Sequence, residues 1–145
     1  MTAEEIEALP AAYAQAAANA RAVGFTGVEV HAAHGFLLNQ FLSPLFNRRT
    51  DRWGGSPERR ARLLIEIIAA VRTAVGPDFP VAVKINATDQ LAGGIETPEA
   101  LDLVALLDRT GIALLETRGG AAFPRGGAAC DRTKTGPYFA RFGAP

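Results

Sequence analysis

Both histidines of the chain stand three residues apart in the run His31-Ala32-Ala33-His34-Gly35-Phe36. Two imidazoles held that close can donate two hydrogen bonds to one carbonyl oxygen or anion and polarise it. A metal reading competes: it needs a third ligand and an open position. Glu29, two residues before His31, is the nearby carboxylate and on a strand would share a face with it. Lys84 is the next candidate, because it interrupts the apolar run Val81-Ala82-Val83-Lys84-Ile85. An ammonium there must find a partner, face a ligand, or snorkel to solvent. The cluster Asn47-Arg48-Arg49-Thr50-Asp51-Arg52 reads as a solvated loop with internal ion pairs. Phosphate binding there would need a helix N-terminus or glycine nest aimed at the same spot.

These residues must be placed by the elements around them. Thr2 and Glu5 have capping-box spacing at the head of an alanine-rich helix. Pro10 predicts either a turn with the helix starting at Ala11 or a kink, and Gly24 closes the helix. Gly27 to His31 reads as a strand, and residues 32–55 as a long connection. Ser56-Pro57 opens a second helix with the apolar stripe Leu63, Leu64, Ile67, Ile68 and Val71, stopped by Gly76-Pro77. Pro80 to Ile85 is the second strand. Thr97-Pro98-Glu99 opens a helix to Arg109 with Gly111 as its C-cap, and Ile112 to Glu116 is the third strand. A Gly/Pro-rich tail follows, with one further helical turn near Tyr138.

Strict helix–strand alternation predicts an α/β fold with a parallel sheet, and mostly apolar strands predict that both sheet faces are covered. The long connections all leave strand ends, where (β/α) barrels and doubly wound sheets build their sites. His31, Lys84, Asn86, Glu116 and Arg118 cluster at those ends. No G-x-G-x-x-G or P-loop spacing is present, so part of a (β/α)8 barrel is the preferred architecture, with residues 1–145 as one domain.

Composition narrows the function. Fifteen basic and 15 acidic side chains give zero net charge, with 48% apolar and 21% charged residues. That is a globular balance, and it offers no basic field for nucleic acid. No apolar run approaches a membrane span, and Met1-Thr2-Ala3-Glu4-Glu5 lacks the basic and apolar regions of a secretory signal. Cys130 is the single cysteine. It excludes an internal disulfide or a cysteine-built metal site, and a reducing cytoplasm follows as the expected location.

The run from Gly24 to Pro44, with Asn47-Arg48-Arg49-Thr50-Asp51 and Gly54-Gly55-Ser56, resembles the Old Yellow Enzyme (NADH:flavin oxidoreductase) family. The similarity continues through Val83-Lys84-Ile85-Asn86, Gly93-Gly94, Leu115-Glu116 with Gly119-Gly120, and Arg132-Thr133-Lys134 with Tyr138-Phe139. The resemblance implies a (β/α)8 TIM barrel carrying non-covalent FMN. NAD(P)H reduces the flavin, which passes hydride to an activated alkene, quinone or similar acceptor. It implies that His31 and His34 bind the substrate carbonyl or a phenol over the flavin. Lys84 would lie at the flavin pyrimidine, where its charge favours the reduced, anionic form.

Three departures qualify what the resemblance implies. Phe36 stands where the family has a tyrosine that protonates the substrate α-carbon. Arg118 replaces a small residue before the Gly119-Gly120 pair. The length matches only about three β/α units, those resembling strands 4 to 6, where a whole barrel takes roughly 250 residues. The alternative expectation is therefore a truncated, inactive fragment lacking the FMN phosphate site, self-associating through unpaired barrel edges. The single cysteine excludes the iron–sulfur cluster of the family's longer members.

Overall fold

The computed structural model describes residues 1–120. The Gly/Pro-rich tail, Cys130, Arg132 to Lys134 and the turn expected near Tyr138 lie outside the described residues. The elements run α1 (Ala3–Ala22), β1 (Val28–Ala32), α2 (Leu37–Leu42), α3 (Pro57–Val75), β2 (Val81–Thr88), α4 (Thr97–Asp108) and β3 (Leu114–Gly119). The three strands are parallel in the order β1-β2-β3.

The Thr2/Glu5 capping box forms, with the Glu5 amide on the Thr2 hydroxyl at 3.2 Å and the Thr2 amide on the Glu5 carboxylate at 2.7 Å. Pro10 does not interrupt α1, which runs unbroken through it. An interior proline costs about 3 kcal/mol, and tertiary packing offsets it. Ile6, Leu9, Tyr13 and Ala17 fall on one stripe, and all four belong to or pack on the common core. Gly24, at φ +93°, turns the chain into β1. The expected stripe of α3 is buried in full.

Several boundaries differ from expectation, β3 among them, which spans Leu114–Gly119 rather than Ile112 to Glu116. The connection 32–55 contains the short helix α2, whose apolar face reads as loop when surrounded by Asn, Pro and Gly. Strand β2 continues three residues past Ile85, with a register shift against β3 between Asn86 and Thr88. The C-cap of α4 is Arg109 rather than Gly111, and its N-cap is Glu96.

The sheet has two unlike faces, which corrects the expectation of apolar strands covered alike on both sides. Val30, Ala32, Val81, Val83 and Ile85 point to one side and join α3 in the core. Their alternates in register, Glu29 and His31 with Ala82 and Lys84 and with Leu114 and Glu116, make the opposite face. That polar face is the one a closed barrel would turn inward.

Candidate functional site

At the end of β1 the chain reverses through two left-handed residues, His34 at φ +61° and Gly35 at φ +77°. Phe36 then caps α2. A non-glycine residue in that region costs about 1–2 kcal/mol, so the turn needs anchors, and buried side chains supply them. The His34 amide donates to Asn86 Oδ1 at 3.1 Å, and the Gly35 amide donates to Asn39 Oδ1 at 2.7 Å. Both asparagines turn their amino groups to Asp89 Oδ1, at 2.8 Å from Asn86 and 3.2 Å from Asn39. Asp89 Oδ2 accepts the Ile95 amide at 2.9 Å. Asn39, Asn86 and Asp89 are each fully buried. Gly94 makes room for them, since a Cβ there would lie 2.8 Å from Asp89.

The turn brings the two imidazoles edge to face, with centroids 5.1 Å apart, and sets the ring of Phe36 5.2 Å from His31. Phe36 is 57% exposed. His31 Nδ1 accepts the Ala33 amide at 3.4 Å, which puts the proton of the neutral ring on Nε2 and leaves that N–H free to donate outward. Burial lowers the pKa of His31, Lys84 lowers it further, and Glu116 partly opposes them. Burial also lowers that of His34, with His31, Lys84 and Arg118 adding their repulsion against Glu116. Both rings are therefore neutral donors at neutral pH.

His31 is the direct register partner of Lys84, and Lys84 of Glu116. The Lys84 ammonium does not snorkel away. It sits 3.1 Å from Glu116 Oε2 and 3.5 Å from Glu29 Oε2, and Arg118 Nε lies 2.6 Å from Glu116 Oε1. Desolvation pushes the Glu116 carboxyl up, but its bonds to Lys84 and Arg118 together hold it below the usual range. Glu29 thus faces the lysine, and among the described residues no group of three His, Cys, Asp or Glu side chains could hold a metal ion.

The arginine cluster makes a clasp. Arg49 grips Asp51 through Nε, at 3.0 Å from Oδ2, and holds its carboxyl below the usual range. Arg52 lies 4.1 Å from the centre of the Trp53 ring and 3.2 Å from Glu7 on α1. Asn47 Nδ2 ties the carbonyls of Phe41 and Trp53 at 2.6 and 2.7 Å. Trp53 itself is buried, its indole N–H on Glu66 at 3.2 Å.

The structure thus gathers His31, His34, Phe36 and Lys84 at one end of one sheet face. Sequence reasoning gave no role to Asn39 or Asp89, the two buried groups that complete the support with Asn86. The available signal was their setting: an amide inside the apolar run Leu37-Leu38-Asn39-Gln40-Phe41 and a carboxylate three residues past Asn86.

The chain is similar to known flavin oxidoreductases. The sequence model of the NADH:flavin oxidoreductase / NADH oxidase family matches residues 1–126. A metal reductase of Desulforamulus reducens is 40% identical over 120 residues, 83% of this chain and 18% of that protein. An NADPH dehydrogenase of Bacillus subtilis is 40% identical over 121 residues, 83% of this chain and 35% of that protein. The solved 2-naphthoyl-CoA reductase complex with 2-naphthoyl-CoA superposes with a TM-score of 0.80 at 39% identity, over 83% of this chain and 18% of that one. Morphinone reductase in complex with tetrahydroNAD gives 0.72 at 40% identity, over 81% and 33%. The chain thus spans well under half the length of these relatives, and its three β/α units are part of a (β/α)8 barrel.

Proposed function

The chain belongs to the NADH:flavin oxidoreductase / NADH oxidase family, and from that premise we propose that it supplies the acceptor-binding part of an FMN-dependent NAD(P)H oxidoreductase of the Old Yellow Enzyme type. One observation carries the reading: two neutral imidazoles and an ammonium share one polar sheet face at the strand ends, with His31 and Lys84 in register. The set fits FMN, because the ammonium can face the flavin pyrimidine while the imidazoles reach a ligand above it. Bound there, FMN would take hydride from NAD(P)H and hand it to the acceptor.

The chain's own residues do the rest. His31 Nε2–H and an N–H of His34 donate to the acceptor's oxygen, and those bonds strengthen as negative charge develops on it. Glu29 and Glu116 hold Lys84 on the inner face, so its charge is fixed rather than free to swing. Phe36 packs beside His31 and has no proton to give. An acceptor that needs protonation at carbon must obtain it elsewhere, whereas a quinone needs none at carbon.

General acid catalysis is worth about 10²–10⁴-fold. In a complete, flavin-loaded barrel that carries these three β/α units, reduction by NAD(P)H is therefore expected to be normal, with quinones turning over well and α,β-unsaturated carbonyls slowly. Stopped-flow kinetics of Phe36→Tyr test this. The expected result is a faster alkene half-reaction with the nicotinamide half-reaction unchanged. Equal alkene rates in both proteins would remove Phe36 from the account.

A further inference from the structure

The buried trio of Asn39, Asn86 and Asp89 has an internal polarity that dictates the shape of the histidine turn. A carboxylate only accepts hydrogen bonds, whereas a side-chain amide must both donate and accept. Asp89 accepts three N–H groups, from Asn39, Asn86 and Ile95. Each asparagine therefore has to point its amino group at Asp89 and its carbonyl oxygen away from it. Those two oxygens are the acceptors of the His34 and Gly35 amides. The two residues they hold are the two with positive φ in the turn.

We propose that Asp89 is the positioning residue of the site: by orienting two asparagine amides it holds His34 in left-handed backbone, with its imidazole against His31. The trio's bonds to the turn go to backbone amides, so it acts through the backbone. The inference rests on the proposed function only for what the imidazoles bind. The geometry it asserts exists with or without flavin.

Asp89→Leu nearly keeps the shape and removes both acceptor oxygens, so the amino groups of Asn39 and Asn86 lose the group that orients them. Asp89→Asn would not do this, because its oxygen can keep both asparagines, which share Oδ1, and its amino group is set against the Ile95 amide alone. The partner variant, Asn86→Asp combined with Asp89→Asn, moves the carboxylate one step. It then accepts both the His34 amide and the amino group at 89, whose carbonyl serves Ile95, while Asn39 turns over to donate to the carboxylate and leaves the Gly35 amide unpaired.

Amide hydrogen exchange read by NMR, without added flavin, tests this. In the unmodified protein the His34 and Gly35 amides are expected to exchange as slowly as the protected strand amides around them. In Asp89→Leu they exchange about tenfold faster or more, the scale of one buried hydrogen bond, while Val83 in β2 is unchanged. The double variant returns His34 to slow exchange. As a second readout, the His34 imidazole in Asp89→Leu titrates closer to the usual value, because the ring leaves its place beside His31.

Free exchange of His34 and Gly35 in the unmodified protein would overturn the proposal, even if Asp89→Leu did not fold. So would unchanged exchange in a folded Asp89→Leu, or a double variant that leaves His34 as exposed as Asp89→Leu does. Slow exchange as expected in a flavin-loaded protein that fails to bind any phenol would instead leave the positioning intact and remove the functional reading.

Discussion

Two stretches of the same connection, 33–40 and 47–53, both carry polar side chains and use them in opposite ways. In the second, the charges are spent inside the protein. Arg49 pairs with Asp51, Arg52 covers Trp53 and reaches Glu7, and Asn47 ties two carbonyls. In the first, Asn39 and, from β2, Asn86 hold backbone amides of the turn, and the His34 imidazole lies edge to face with His31. Polar density alone therefore does not mark a site. A site shows when the supporting bonds go to backbone and the reactive groups keep an unspent hydrogen.

The comparison can be broken first at the clasp. Trp53→Ala removes a large buried side chain, and such a change costs about 3–5 kcal/mol, a sizeable share of a typical domain's stability. Urea denaturation should show this loss. Next is the trio: Asn86→Leu strands the His34 amide and Asp89 together, each orphaned group costing about 1–3 kcal/mol. Its denaturation midpoint falls, and the effect should reach the histidine signals, which Trp53→Ala reaches only by global unfolding.

Acid sharpens the contrast. The folded-state pKa of each histidine lies below the unfolded value, so the unfolded chain binds more protons near pH 6. Stability from the site is complete above the unfolded value, about 6.5. It is lost as pH falls from there through the lowered folded values. NMR titration should place both midpoints below about 6.5, and a midpoint above it for either ring would contradict the burial described. Arg52→Ala is the mildest test. The pair with Glu7 is half exposed, and such pairs contribute about 1 kcal/mol or less, so thermal unfolding should move little and the histidine signals not at all.

Much of this was legible in the sequence because local rules governed it. The capping box at Thr2, the Ser56-Pro57 start and the five-residue stripe of α3 all follow from spacing, and the structure keeps them. The placing of His31 and Lys84 at strand ends was legible too, whereas their pairing emerges only with the strand register. Pro10 misled because the packing of α1 outweighs a local penalty. The two-faced sheet was hidden because three isolated charges in apolar runs look incidental until register sets Lys84 opposite Glu116 and puts Glu29 on the same face, diagonal to Lys84. The trio was hidden for a related reason. Asn39 and Asp89 are 50 residues apart, and no periodicity predicts that two amides share one carboxylate.

The claim that the imidazole pair binds the acceptor is tested most directly by titrating a phenol into the flavin-loaded protein, its His31→Ala and His34→Ala variants, and Arg49→Ala as the clasp control. Hydrogen bonds to a charged oxygen are worth about 1.5–3 kcal/mol, so each histidine variant should weaken binding by about 10- to 100-fold while Arg49→Ala leaves the dissociation constant unchanged. Unaltered phenol affinity in both histidine variants would show that the pair does not hold the acceptor.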